Sequence, residues 1–109
     1  MGILDIFRPG VEPLIRAAAK FEPTLIKADV HEDREREEAV LLLSAIRGNN
    51  VETIARSFTD IIDSWAYLRK NLKILREAWP KAELQYYVNK KPLAGKALRF
   101  VRQIVESGM

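Results

Sequence analysis

Apolar residues recur with a regular spacing through the middle of the chain, from Val51 to Trp79. The intervals alternate between three and four residues, and neither glycine nor proline interrupts residues 51–79. Such a heptad spacing favours one straight helix, because 3.5 residues per turn hold an apolar stripe against one partner. We therefore predict one long helix over residues ~50–79, ending before Pro80. Its seam comprises Val51, Ile54, Phe58, Ile61, Trp65, Leu68, Leu72, Leu75 and Trp79.

The same stretch has a second interpretation, in which two shorter helices meet at Thr59-Asp60, as in a DNA-reading helix-turn-helix. Asp60 with Asp63 is suited to begin a new helix. However, the tight turn of that motif favours glycine where Thr59 stands, and carboxylates at the start of a recognition helix would be repelled by DNA. The single helix accounts for every apolar residue of the seam, so we prefer it.

Three other segments carry helical patterns. Residues 11–22 have apolar residues at helical spacing and stop at Pro23, and residues 92–107 show the same spacing after Pro92. Residues 30–47 follow a suitable N-cap at Asp29 and end at Gly48, a typical C-cap residue. No segment reads convincingly as a strand. The sequence thus predicts an all-α fold, a single helical domain over residues 1–109. The expected architecture is an antiparallel helical bundle of about four helices around the helix 50–79, with an N-terminal amphipathic arm over residues 1–10.

Composition limits the classes of protein to which this chain can belong. A chain of 109 residues suits one domain, and the absence of cysteine excludes disulfides, thiolate zinc sites and iron-sulfur clusters. No apolar run approaches the roughly 20 residues of a transmembrane helix. Residues 1–10 do not resemble a secretory signal, so we expect a cytoplasmic protein. Residues 3–8 are apolar enough for weak membrane contact, but packing of this arm against protein is the favoured expectation.

Signatures of catalysis and of cofactor binding are weak. His31, the only histidine, lies one and two helical turns before Glu35 and Glu38, but an acidic, solvated helix start explains this group better than a metal site. The segment KPLAGKALR lacks the first glycine and the hydroxyl residue of a phosphate-binding loop. We therefore expect no enzyme, no cofactor and no metal.

Charge is divided unevenly along the chain. Residues 1–68 hold 8 Lys and Arg against 12 Asp and Glu, a net −4, whereas residues 69–109 hold 10 against 3, a net +7. Basic residues interleaved with aromatic ones are typical of nucleic-acid-binding surfaces. A nucleic-acid-binding or nucleoprotein-assembly protein that uses residues 69–102 is therefore one candidate function. The basic residues least explained by packing are Lys90, Lys91, Lys96, Arg99 and Arg102.

The second half of the seam favours a different function. Alanine and isoleucine flank the seam in its first half, but Arg69 and Arg76 flank it in the second. A narrow apolar stripe bordered by charge is typical of a contact between subunits, although it is equally compatible with a solvated rim around a core. The preferred hypothesis is a non-catalytic helical interaction or assembly module, a homodimer or a small subunit of a larger complex. Its candidate interface residues are Trp65, Leu68, Arg69, Leu72, Leu75, Arg76 and Trp79.

Overall fold

A computed structural model of the chain describes residues 10–107 and shows one mixed sheet with helices packed on one face. The strand order is β3-β2-β1-β4-β5, in which β1 and β4 are parallel and the other neighbours are antiparallel. The elements in chain order are α1 (Glu12–Ala18), β1 (Leu25–Asp33), β2 (Glu38–Arg47), β3 (Asn50–Phe58), α2 (Ile61–Ala78), β4 (Glu83–Val88), β5 (Lys91–Pro92) and α3 (Gly95–Glu106).

The prediction of an all-α helical bundle is wrong, and residues 30–47 show why. They form the end of β1, a four-residue loop and β2 rather than a helix. β2 lies between two other strands and carries apolar side chains on both faces. A strand that is apolar on both faces reads as a continuous run with no period of two, so its sequence cannot be distinguished from that of a buried helix.

The predicted helix over residues 50–79 is also wrong in its first third. Residues 50–58 form β3, and the chain does break at Thr59-Asp60, but between a strand and a helix rather than between two helices. The Asp60 carboxylate accepts a 2.8 Å hydrogen bond from the Asp63 N–H and begins α2 as its N-cap. The seam continues across the break by coincidence, because Ile54 and Phe58, four residues apart, also lie on one face of β3.

Two sequence features that predict the ends of a helix, Gly48 and the acidic residues after Asp29, lie in turns or beside them instead. Gly48 and Asn49 form the two-residue loop between β2 and β3, and Gly48 has a φ of 59°, which suits glycine. In the loop between β1 and β2, the Asp33 carboxylate accepts hydrogen bonds from the backbone N–H groups of Glu35 and Arg36. Aspartate makes the same bonds at helix N-termini and in turns, so the acidic cluster alone does not separate the two.

The first and last predicted helices are confirmed with shorter bounds. α1 lies within residues 11–22, and α3 lies within residues 92–107. The predicted arm over residues 1–10 falls, apart from Gly10, outside the described residues. Among the helices of residues 10–107, none combines the length and apolarity needed to cross a membrane.

The hydrophobic core lies between the sheet and the helices. Trp65 and Leu68 of α2 pack with Leu14 of α1 and with the inward residues of the strands, and all of these side chains are buried. The opposite face of the sheet is different: Val40, Leu42 and Ile46 of β2 are only partly buried, and their neighbours on β3 are exposed. The described helices therefore cover one face of the sheet and leave the other open.

Candidate protein-interaction site

The apolar residues proposed as a contact between subunits lie in the core of the chain itself. Each is at most 7% exposed, because the seam of α2 faces the sheet. These residues hold α2 on the sheet, so a surface contact with another molecule needs other side chains. The group consists of Trp65, Leu68, Leu72, Leu75 and Trp79.

The two arginines that border this seam have different surroundings. Arg69 is exposed on the outer side of α2. Arg76 is half-buried and donates a hydrogen bond from its guanidinium to the backbone C=O of Ala82, just before β4. Arg76 thus ties the end of α2 to the strand that follows, whereas Arg69 is available on the surface.

The five basic residues proposed for nucleic-acid binding are all exposed, but they lie in two places. Lys96, Arg99 and Arg102 are on α3 at spacings of three residues, so they lie along one side of that helix. Phe100, which is 54% exposed, lies beside Lys96 on the outer face of the helix. Lys90 and Lys91 are at the turn between β4 and β5 instead.

The turn at Lys90 is built against the acidic end of the sheet. The Lys90 N–H donates to the buried Asp29 carboxylate at 3.2 Å, and the Asn89 side-chain oxygen accepts from the Glu32 N–H at 3.0 Å. The loop that follows β1, residues 34–37, holds two arginines and two glutamates and adds no net charge at this end of the sheet. Nearby negative charge offsets the positive potential of Lys90 and Lys91, which weakens their case as a phosphate-binding pair.

His31, Glu35 and Glu38 do not share a helix face, because they lie on β1, in the following loop and at the start of β2. The His31 Nε2 atom is buried 3.3 Å from an Asp29 carboxylate oxygen, with no hydrogen bond to it. Within residues 10–107, no group of three or more His, Asp or Glu side chains is arranged to hold a metal ion.

The surface that sequence analysis missed is the outer edge of β3. Among the strands of residues 10–107, β3 is the last on its side of the sheet, and its nine residues pair with β2 in one uninterrupted register. An edge strand exposes backbone N–H and C=O groups that can pair with another chain. The residues whose side chains point to the open face of β3 are small, uncharged and exposed: Val51, Thr53, Ala55 and Ser57.

The tight hairpin between β2 and β3 determines which backbone N–H and C=O groups of β3 point towards β2. The two-residue loop makes Arg47 and Asn50 a directly hydrogen-bonded pair, and bonded pairs alternate along an antiparallel ladder. The backbone groups of Glu52, Ile54 and Arg56 therefore point towards β2. Those that point away from the sheet belong to Val51, Thr53, Ala55 and Ser57.

At the opposite edge of the sheet, the part formed by β5 is protected. β5 contains only two residues, Lys91 and Pro92, and both are exposed. Short edge strands, lysine and proline are the usual means by which proteins prevent strands of different molecules from pairing. β3 has none of these features, since it is long and regular and carries neither lysine nor proline. β3 and β5 therefore differ in their capacity to accept another strand.

Two charged residues of β3 lie on the side that faces the helices. Arg56 donates hydrogen bonds to the C=O of Gly10, to the Tyr67 phenol oxygen and to the C=O of Ala55, so its guanidinium is fixed in place. Glu52 is half-buried and lies 3.9 Å from the Lys20 ammonium. The strand therefore presents one anion and one cation, placed symmetrically on either side of Ile54.

No protein-family model matches this chain, and a search of curated proteins finds no match to it either.

Proposed function

We propose that the protein is an interaction and assembly module that forms a homodimer through the outer edges of two β3 strands. The long β3 edge, beside which no other strand of residues 10–107 lies, carries this proposal. Another strand could approach β3 closely, because β3 is regular over nine residues and the side chains on its open face are small and uncharged. Two copies would then share one continuous sheet, with the helices of both copies on the same side.

The symmetry of the dimer selects one register. Two identical antiparallel strands related by a two-fold axis at Ile54 place Glu52 of each copy opposite Arg56 of the other. Opposite charges in facing positions stabilise strand pairs, whereas registers centred on Glu52 or Arg56 would place like charges in contact. The register centred on Ile54 also gives the longest overlap, from residue 50 to residue 58.

Backbone pairing supplies the attraction. In this register the outward groups of Thr53 face those of Ala55, and those of Val51 face those of Ser57, for up to about eight hydrogen bonds. The Ala55 C=O already accepts one hydrogen bond from Arg56 and has a second lone pair for the partner strand. In the dimer, the partly buried apolar residues of β2 in both copies would lie on the same open face of the shared sheet.

Sedimentation equilibrium over the micromolar range tests the dimer. The variant Ala55→Lys adds a charge at the centre of the edge and should shift the equilibrium to monomer, because two ammonium groups would meet near the axis. Ala97→Lys makes the same substitution at an exposed position of α3 and should leave the equilibrium unchanged. A wild-type protein that is monomeric throughout this range would overturn the proposal.

Non-catalytic action and a cytoplasmic location complete the proposal, and both rest on the sequence alone. A second candidate function is nucleic-acid binding by α3, supported by Lys96, Arg99 and the exposed ring of Phe100 on one outer face. Fluorescence anisotropy with labelled duplex and single-stranded oligonucleotides at low and physiological salt tests it. Micromolar binding that weakens steeply with salt and is lost in Arg99→Glu would favour this function.

A further inference from the structure

A cleft of about 200 Å³ opens between β4 and α3, on the far side of the sheet from β3. Five consecutive residues of β4, from Glu83 to Tyr87, line it. Side chains of consecutive strand residues point to opposite faces, so a cavity that touches all five runs along the edge of the strand. Pro92 and Leu93 close one end, and Leu98 and Arg102 of α3 form the wall.

The edge of β4 is only partly covered in this cleft. β5 pairs with Tyr87 and Val88, and the Leu93 N–H donates to the Tyr86 C=O at 3.0 Å. Within residues 10–107, no strand lies beside the earlier part of β4, because the chain leaves the sheet after Leu93 to begin α3. Residues 83–86 therefore form a short open edge that faces the cleft.

The direction of the backbone groups on this edge follows from two hydrogen bonds. The Glu83 N–H donates to the Thr24 C=O, and the Asn89 N–H donates to the Val30 C=O. In a parallel ladder, every second residue faces the same neighbour, so Gln85 and Tyr87 also face β1. Leu84 and Tyr86 face the cleft instead. Within residues 10–107, no hydrogen bond reaches the N–H or C=O of Leu84 or the N–H of Tyr86.

We propose that this cleft binds an extended peptide segment of another protein, which adds a strand beside β4 and continues the line of β5. A strand is the ligand that satisfies the two N–H groups and one C=O group at once, because its own backbone presents both partners at matching spacing. The cleft is smaller than the roughly 300–1,000 Å³ typical of small-molecule sites, so it suits one or two side chains of such a peptide.

The walls define the chemistry of the peptide. Leu93 and Leu98 are partly buried and form an apolar wall for an apolar side chain. Arg102 is exposed at the rim, and no described carboxylate lies within ion-pair distance of it. Arginine binds carboxylates through paired hydrogen bonds, so a peptide carboxylate should lie opposite Arg102 and away from Glu83 at the start of the strand.

Labelled peptides test this site. The probes are fluorescein-labelled heptapeptides of valine and threonine, each with a central leucine and an aspartate two positions before or after it, so that both side chains share one face of a strand. The control peptides carry lysine in place of aspartate, or aspartate next to the leucine. We expect at least one probe to bind at least about tenfold more tightly than its controls.

Two variants identify the binding site. Arg102→Glu should weaken binding of the best probe by at least about tenfold, whereas Arg99→Glu, on the same helix but outside the cleft, should not. In amide NMR spectra, the probe should slow hydrogen exchange at Leu84 and Tyr86, while Gln85 and Tyr87 should already be protected in its absence. Equal binding of the aspartate and lysine peptides, no binding up to about 1 mM, or unchanged exchange at Leu84 and Tyr86 would each overturn the proposal. Loss of the β3 dimer in Ala55→Lys should not affect the result, because the cleft lies at the other edge.

Discussion

The Tyr86 phenol donates a 2.6 Å hydrogen bond to the Glu106 carboxylate and thereby joins β4 to the last turn of α3. Burial of the phenol and this bond to a negatively charged acceptor both raise the pKa of Tyr86 above its ordinary value near 10. The ring also packs edge-on against Trp65, with the ring centroids 5.9 Å apart. Tyr86 therefore links the strand, α2 and α3 at the back of the peptide cleft.

The raised pKa of Tyr86 predicts a loss of stability in alkaline solution. The folded state retains the phenol proton while the unfolded chain releases it above pH 10, so this contribution is complete below pH 10 and falls as pH rises further. Tyr86→Phe should reduce the slope of the free energy of unfolding against pH in that range. Tyr87→Phe, which removes a hydroxyl bonded to the neutral Gln85 side chain, is the matched control. Urea denaturation at several pH values measures both, and equal slopes for wild type and Tyr86→Phe would contradict the prediction.

Asp29 should be a main anchor of the turn between β4 and β5. Its side chain lies on the face of β1 away from the helices, where it is buried, and it accepts a hydrogen bond from the Lys90 N–H. Asp29→Ala leaves that N–H without its partner and should lower the free energy of unfolding by about 1–3 kcal/mol. Asp29→Asn keeps an acceptor oxygen of similar shape and should cost less. A loss in the alanine variant no greater than that in the asparagine variant, measured by urea denaturation, would show that this bond is dispensable.

The same turn predicts a stabilising substitution. Asn89 and Lys90 have φ values of 49° and 70°, the pattern of a type I′ hairpin turn. A lysine in this region is strained, whereas Asn-Gly is among the preferred pairs for the turn. Lys90→Gly should therefore raise the free energy of unfolding by about 0.5–1 kcal/mol. Lys91→Gly, in the adjacent strand position, should not stabilise the protein. A lower thermal midpoint for Lys90→Gly than for wild type would exclude this explanation.

Leu72 tests whether the seam of α2 serves the core or a contact between subunits. It is 1% exposed and faces the sheet, so Leu72→Ala should lower the free energy of unfolding by about 2–5 kcal/mol. The neighbouring exposed Lys73→Ala should change it by less than about 0.5 kcal/mol. A core residue lowers stability in the monomer itself, so the loss should also be found in the Ala55→Lys background. A loss that disappears in that background would assign Leu72 to the subunit contact instead.

Local patterns in the sequence predict the helices of this fold better than its sheet. The spacing of Trp65, Leu68 and Leu72 correctly places them on the buried face of a helix, because an amphipathic helix carries its period in its own residues. The sheet could not be read in this way. β2 has no alternation because both of its faces are apolar, and β1 pairs with β4 across more than 50 residues of chain. The open edge of β4 exists only after that long-range pairing, and β3 is an edge only because no described strand pairs with its outer side, so no local signal marks either edge.

Hydrogen exchange along β3 offers the most direct test of the proposed dimer. In a monomer, the N–H groups of the outward residues Val51, Thr53 and Ser57 lack strand partners among residues 10–107, whereas those of Glu52 and Ile54 are bonded to β2. Exchange should therefore alternate between fast and slow along the strand in Ala55→Lys. In the wild-type protein at concentrations that favour the dimer, the outward N–H groups should also exchange slowly, because the partner strand bonds them. If the outward N–H groups of wild type still exchange quickly while sedimentation shows a dimer, the dimer must use another surface, and the open face of the sheet would be the next to test.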